Sequence, residues 1–129
     1  MKKLIVDLDN TLSFNVANNY NEALPNKMVI ENLNKFKRKG YEVIIFTARN
    51  MRTYGGNIGK INIHTLPTII EWLNKHQVPY DEIIVGKPWC GHEGFYIDDR
   101  AIRPSEFSRL SLDEINELLD KEVEFRSQQ

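Results

Sequence analysis

The chain has 129 residues, 41% of them hydrophobic, with 18 acidic and 17 basic side chains and a single cysteine. That length fits one domain with one core, residues 1–129, and the hydrophobic share excludes a disordered chain. The even charge leaves no basic footprint for nucleic acid and no polybasic membrane signal, and lone Cys90 excludes an intrachain disulfide or a multi-cysteine zinc site. The first apolar run is too short for a signal peptide or a membrane span, so the expected compartment is the cytoplasm.

The first predicted element is a buried strand, Lys3-Leu4-Ile5-Val6, which breaks into Asp7-Leu8-Asp9-Asn10-Thr11. Alternation puts Asp7 and Asp9 on one face, roughly 7 Å apart at a rise of about 3.3 Å per residue. Two anions at a strand tip call for a cation or a shared proton. Leu12 to Leu24 holds Asn15, Asn18, Asn19 and Asn21 and reads as a short flap. A helix is expected from Lys27 to Lys39, with Val29, Leu33 and Phe36 inward and Gly40 as its stop. Its basic end (Lys35, Lys37, Arg38, Lys39) reads as a solvated helix terminus.

The second strand is Tyr41 to Thr47, followed by Ala48-Arg49-Asn50. Met51 to Asn62 carries Gly55, Gly56 and Gly59 without a nucleotide-binding spacing and reads as a loop. A helix from His64 to His76 follows, with Leu66, Ile69, Ile70 and Leu73 inward and Pro67 in its first turn. Strand three is Glu82 to Val85, then Gly86-Lys87-Pro88-Trp89. Strand four is Gly94 to Ile97, then Asp98-Asp99-Arg100. A loop with Pro104 leads to a last helix, whose capping box is Ser111 with Glu114 and whose stripe is Leu112, Ile115, Leu118 and Leu119; the tail after Glu124 reads as frayed. His64, His76 and His92 show no metal-ligand spacing, and Trp72 and Trp89 read as packing residues.

Alternating strands and helices predict an α/β three-layer sandwich, a central parallel sheet covered on both faces. Ligands of such sheets sit at the carboxyl ends of the strands. Here those ends carry Asp7, Asp9 and Thr11, then Thr47 and Arg49, then Lys87, then Asp98 and Asp99. Thr47 or Lys87 alone is commonplace; four polar strand ends in order are not.

This series resembles the haloacid dehalogenase superfamily: Asp-x-Asp-x-Thr at Asp7 to Thr11, a hydroxyl at Thr47, a lysine at Lys87 and an acidic pair at Asp98-Asp99. The stretches Thr47 to Arg52, Gly86 to His92 and Ile97 to Arg100 resemble more narrowly the small phosphatases of bacterial capsule and surface-polysaccharide gene clusters. The resemblance implies a Rossmann-like core and a Mg²⁺-dependent phosphomonoester hydrolase. Asp7 would be the nucleophile that forms an aspartyl-phosphate. Asp9 would protonate the leaving oxygen and later take a proton from water. Thr47 would hydrogen-bond the phosphoryl group and Lys87 would neutralise charge. Thr11 would support the substrate-binding loop, and Arg49 and Arg52 would grip a second anionic group of the substrate. Mg²⁺ would be held by Asp7, the backbone carbonyl of Asp9 and Asp99, with Asp98 behind.

The gaps after strands one and two are too short for a cap domain. A capless site needs shielding by the flap, the glycine loop or a second copy, so a homo-oligomer is expected. The expected substrate is a small phosphorylated metabolite such as a sugar or polyol phosphate. The alternatives are a nucleotidase, a phosphatase of polynucleotide or protein ends, or a catalytically silent binding module.

Overall fold

The structure, a computed structural model, describes residues 2–14 and 19–129. Asn15 and Asn18 of the expected flap lie outside the described residues. The chain divides into two compact units, Met1–Trp89 and Cys90–Gln129.

The first unit is built on a parallel sheet of β1 (Lys3–Val6), β4 (Glu42–Thr47) and β5 (Glu82–Val85), in the order β1-β4-β5. β4 is the centre because Val43, Ile44 and Ile45 are buried in succession, which an alternating strand achieves only with both faces covered. The cover thins outward. On the face that carries Ile5, Ile44, Phe46 and Ile84, the outer-strand residues Ile5 and Ile84 stay 59% and 44% exposed. Between β1 and helix α1 (Lys27–Arg38) lie a two-stranded ribbon, β2 (Ser13–Phe14) with β3 (Leu24–Pro25), and a 3-10 turn at Tyr20–Glu22. No inserted domain interrupts the sheet among the described residues.

α1 buries Val29, Ile30, Leu33 and Phe36, the stripe its spacing predicts. The expected loop 51–62 is corrected: α2 (Ile58–His64) occupies its second half. Gly59 weakens the helical pattern by about 1 kcal/mol relative to Ala. The helix forms because Asn57 caps it, accepting the Lys60 N–H at 3.1 Å, and because Ile61 is fully buried. α3 (Leu66–Lys75) then starts afresh, with Pro67 in its first turn. It buries Ile69, Trp72 and Leu73, whereas Ile70 faces outward; the Trp72 indole donates to the Ala23 carbonyl at 2.9 Å.

In the second unit α4 (Pro104–Arg109) replaces the expected loop, and α5 (Leu112–Ser127) opens on the expected capping box and runs through the tail expected to fray. Ile115 is buried; Leu112, Leu118 and Leu119 are half-buried. The expected fourth strand does not form. Residues 94–97 lie outside every described strand, and Phe95 and Ile97 are 76% and 89% exposed. A run of β-formers becomes a strand only when a neighbour supplies the other half of the ladder. The turn before it is tight: Gly91 has φ +78°, and a Cβ on Gly94 would collide with the Cys90 carbonyl oxygen.

Candidate active site

The carboxyl edge of the sheet is shaped first by the turn after β1. The Leu8 carbonyl accepts the N–H groups of Thr11, Leu12 and Ser13 at 3.2, 2.9 and 3.2 Å. Asn10 makes the turn with φ +62°, a conformation Asn tolerates better than most residues. Asn26, at the start of α1, pins the turn from outside by donating its side-chain amide to the Thr11 carbonyl at 3.0 Å.

That turn fixes the first acid. Thr11 Oγ1 donates to Asp7 Oδ2 at 2.9 Å, and Lys87 Nζ stands 3.5 Å from Asp7 Oδ1. Lys87 is held in turn by its own N–H, which donates to the Thr47 carbonyl at 3.1 Å. Gly86 precedes it with φ +90°, and a Cβ there would lie 2.5 Å from the Ile58 side chain. Asp7 keeps part of its side chain in solvent.

The second acid is held differently. Arg49 forks onto Asp9, with Nε 3.1 Å from Oδ2 and Nη2 2.7 Å from Oδ1. Its guanidinium carbon lies 4.1 Å from the centre of the Tyr20 ring, and the residue is only 4% exposed. Arg49 was expected to face the substrate; here its charge is spent on Asp9, because a buried guanidinium requires a carboxylate partner. Its third nitrogen, Nη1, is buried with no partner among the described residues. Beside it lies a cavity of about 90 Å³ lined by Tyr20, Arg49, Asn50, His64, Thr65 and Thr68. Arg52 is exposed in the turn that follows.

Thr47 is buried at the end of β4, where its hydroxyl oxygen accepts the Arg49 N–H at 3.1 Å. A hydroxyl used as an acceptor still has its proton to give. The edge of the first unit therefore brings together Asp7, Asp9, Thr11, Thr47, Arg49 and Lys87. Asp98 and Asp99 belong to the second unit. There Asp98 accepts the Arg100 N–H at 2.8 Å, and Asp99 stands 3.5 Å from Arg126 with both side chains exposed. Among the described residues, no group of three or more acidic, histidine or cysteine side chains is disposed to hold a metal.

Sequence reasoning missed Asn26, Tyr20 and the cavity residues Asn50, Thr65 and Thr68. None carries a local pattern that marks it. Thr65 is tied to the site only through space, by donating to Asn50 Oδ1 at 2.7 Å.

No protein-family model and no curated protein matches the chain. Among solved structures, a target protein from Vibrio cholerae is 66% identical, with a TM-score of 0.93; the match covers 95% of this chain and 99% of that one. A chain of a Pnkp1/Rnl/Hen1 complex is 28% identical with a TM-score of 0.51, covering 65% of this chain and 27% of that one. A chain of the Pnkp1/Rnl/Hen1 RNA repair complex is 23% identical with a TM-score of 0.50, covering 71% and 28%. The last two matches show a shared fold, and this chain spans little more than a quarter of their length. No described helix is long and apolar enough to cross a membrane.

Proposed function

The chain belongs to one family with the Vibrio cholerae protein, and from that premise we propose that it hydrolyses phosphomonoesters of small metabolites through an aspartyl-phosphate on Asp7. One observation carries the reading. At a single strand edge, one acid is flanked by a hydroxyl and an ammonium while a second is locked by a buried guanidinium. A surface ion-pair network has no use for a buried arginine that fixes one carboxylate beside an accessible one.

In this reading a carboxylate oxygen of Asp7 attacks phosphorus in line, and the bond to the leaving oxygen breaks as the new P–O bond forms. Lys87 offsets the charge gathered on Asp7 and the phosphoryl group. Thr47 donates its remaining proton to a phosphoryl oxygen. To give a proton to the leaving oxygen, Asp9 must first free one oxygen from the Arg49 fork and take up that proton; it then takes one from the water that attacks the acyl-phosphate, which frees phosphate and restores Asp7. Arg49 is a positioning residue that fixes where the Asp9 oxygens sit.

The donors suit Mg²⁺. Asp7 and the backbone carbonyl of Asp9 would be its oxygen donors in the first unit, with water at the remaining positions, the kind of shell this ion keeps. The bound ion would supply positive charge for the phosphate oxygens. The finer reading takes a sugar or polyol phosphate of capsule and surface-polysaccharide synthesis as substrate, because the small polar cavity beside Arg49 offers hydroxyl and amide groups and no acid.

The test is phosphate release in Mg²⁺. Asp7→Asn lowers turnover of a generic aryl phosphate by about 10³-fold or more with the melting temperature kept. Full activity in that variant ends the mechanism. Inactivity of the natural chain on any ester leaves a binding module. A panel of sugar phosphates, nucleotides and 5′- or 3′-phosphorylated oligonucleotides assigns the class; preference for oligonucleotides would contradict the even charge of the chain.

A further inference from the structure

Asn26 stands at the head of α1, where an asparagine is favoured because its side-chain oxygen can accept a free N–H of the first turn. Here the side chain makes no such bond. Its amide turns back instead and donates to the Thr11 carbonyl at 3.0 Å. The Asn26 N–H donates to the next carbonyl, that of Leu12, at 2.8 Å, and the Asn26 carbonyl accepts the Ile30 N–H at 3.0 Å. One residue thus grips two successive carbonyls of the turn after β1 and opens the helix as well. The ribbon continues the same seam, pairing Ser13 with Pro25 and Phe14 with Leu24.

Thr11 is where that grip reaches the chemistry. Its carbonyl is held by Asn26, and its hydroxyl donates to Asp7 Oδ2 at 2.9 Å. The last torsion of an aspartate is broad, so its carboxylate is oriented by hydrogen bonds more than by its rotamer. With Oδ2 on Thr11, Oδ1 is the oxygen that stands toward Lys87, at 3.5 Å.

We infer that Asn26 is a positioning residue for the nucleophile: it fixes the Thr11 backbone, Thr11 fixes Asp7, and Oδ1 is left as the oxygen that attacks. The inference rests on the phosphatase reading above. The observation that carries it is the forgone cap. A side chain suited to satisfying the helix serves the turn instead, and that turn holds the attacking acid.

The test compares variants with the natural chain on a generic aryl phosphate in Mg²⁺. Asn26→Ser keeps a residue that suits a helix start but is too short to reach the Thr11 carbonyl. Its kcat falls by about 10- to 100-fold, and its KM stays within about twofold, as for an interaction that matters only in the transition state. Thr11→Val lowers kcat at least as far. Adding Asn26→Ser to it costs nothing further, because the amide acts through Thr11. Asn34→Ser removes a bond of the same kind on the same helix, from the side-chain amide to the Ile30 carbonyl at 3.1 Å, and keeps natural kcat. Natural kcat in Asn26→Ser, additive losses in the double variant, or an equal loss in Asn34→Ser overturns the inference. Melting curves check folding; if Asn26→Ser melts early, Asn26→Asp, which keeps the size and loses the donor, is read by the same outcomes. NMR reads the link without turnover. The carboxyl carbon signal of Asp7 shifts in Asn26→Ser and in Thr11→Val and stays in place in Asn34→Ser; a signal unmoved by Asn26→Ser overturns the positioning role. A natural chain that hydrolyses no ester ends the phosphatase reading, while that signal still decides whether Asn26 orients Asp7.

Discussion

Ile5-Val6-Asp7 and Tyr96-Ile97-Asp98 have nearly the same local chemistry, an apolar run closed by an acid, and they take opposite fates. The first is a strand whose acid is gripped by Thr11 and faced by Lys87. The second lies outside any described strand, with Asp98 accepting a backbone N–H and Asp99 in a long exposed contact to Arg126. The difference is the neighbour. β1 has the ladder of β4 beside it, and β4 is the most buried strand in the molecule. Residues 94–97 lie outside every described strand, although their β propensity is similar.

The comparison breaks most sharply at two isoleucines. Ile45→Ala, in the buried centre of β4, costs about 2–5 kcal/mol. Ile97→Ala, at a side chain left 89% exposed, costs no more than about 0.5 kcal/mol. Urea unfolding separates them; equal losses would erase the distinction.

The two acid–arginine pairs give a smaller contrast. Arg49→Lys keeps the charge and loses the fork on Asp9, so turnover falls by about 10- to 100-fold, or ~1.4–2.7 kcal/mol. Arg126→Lys, at an exposed pair, leaves stability within about 0.5 kcal/mol. Steady-state rates and melting curves read both, and an Arg49→Lys enzyme with natural kcat would remove the positioning role.

The smallest effect is in pH. The hydrogen bond from Lys37, reinforced by the Val43 N–H, holds the Asp81 carboxyl below its ordinary value and ties α1 to the start of β5. A carboxyl with a depressed folded pKa stabilises the fold above its unfolded value and loses that contribution as pH falls through the folded one. The natural chain should therefore lose stability below about pH 3.8 more steeply than Asp81→Asn, by no more than about 1 kcal/mol for so exposed a pair. Parallel acid titrations would refute this.

Much of the first unit was legible because its signals are local. Apolar runs fixed β1, β4 and β5 to within a residue, periodicity fixed α1, and the polar ends of those strands predicted which side chains would meet. α2 was hidden by Gly59 and revealed only by the burial of Ile61, a contact made across the fold. Arg49 was readable as an anion binder, but which anion it binds depends on where β4 sits beside the β1 turn. Tyr20, Asn26 and Thr65 reach the site through space and have no pattern to betray them.

By itself, then, the sequence determined where strands begin and end and which chemistry their tips carry, because side-chain alternation and turn residues are written in neighbouring positions. Tertiary structure alone decided which apolar runs become strands and which acid Arg49 holds. Those outcomes require hydrogen-bond partners and burial supplied by residues tens of positions away, and no local pattern encodes a partner.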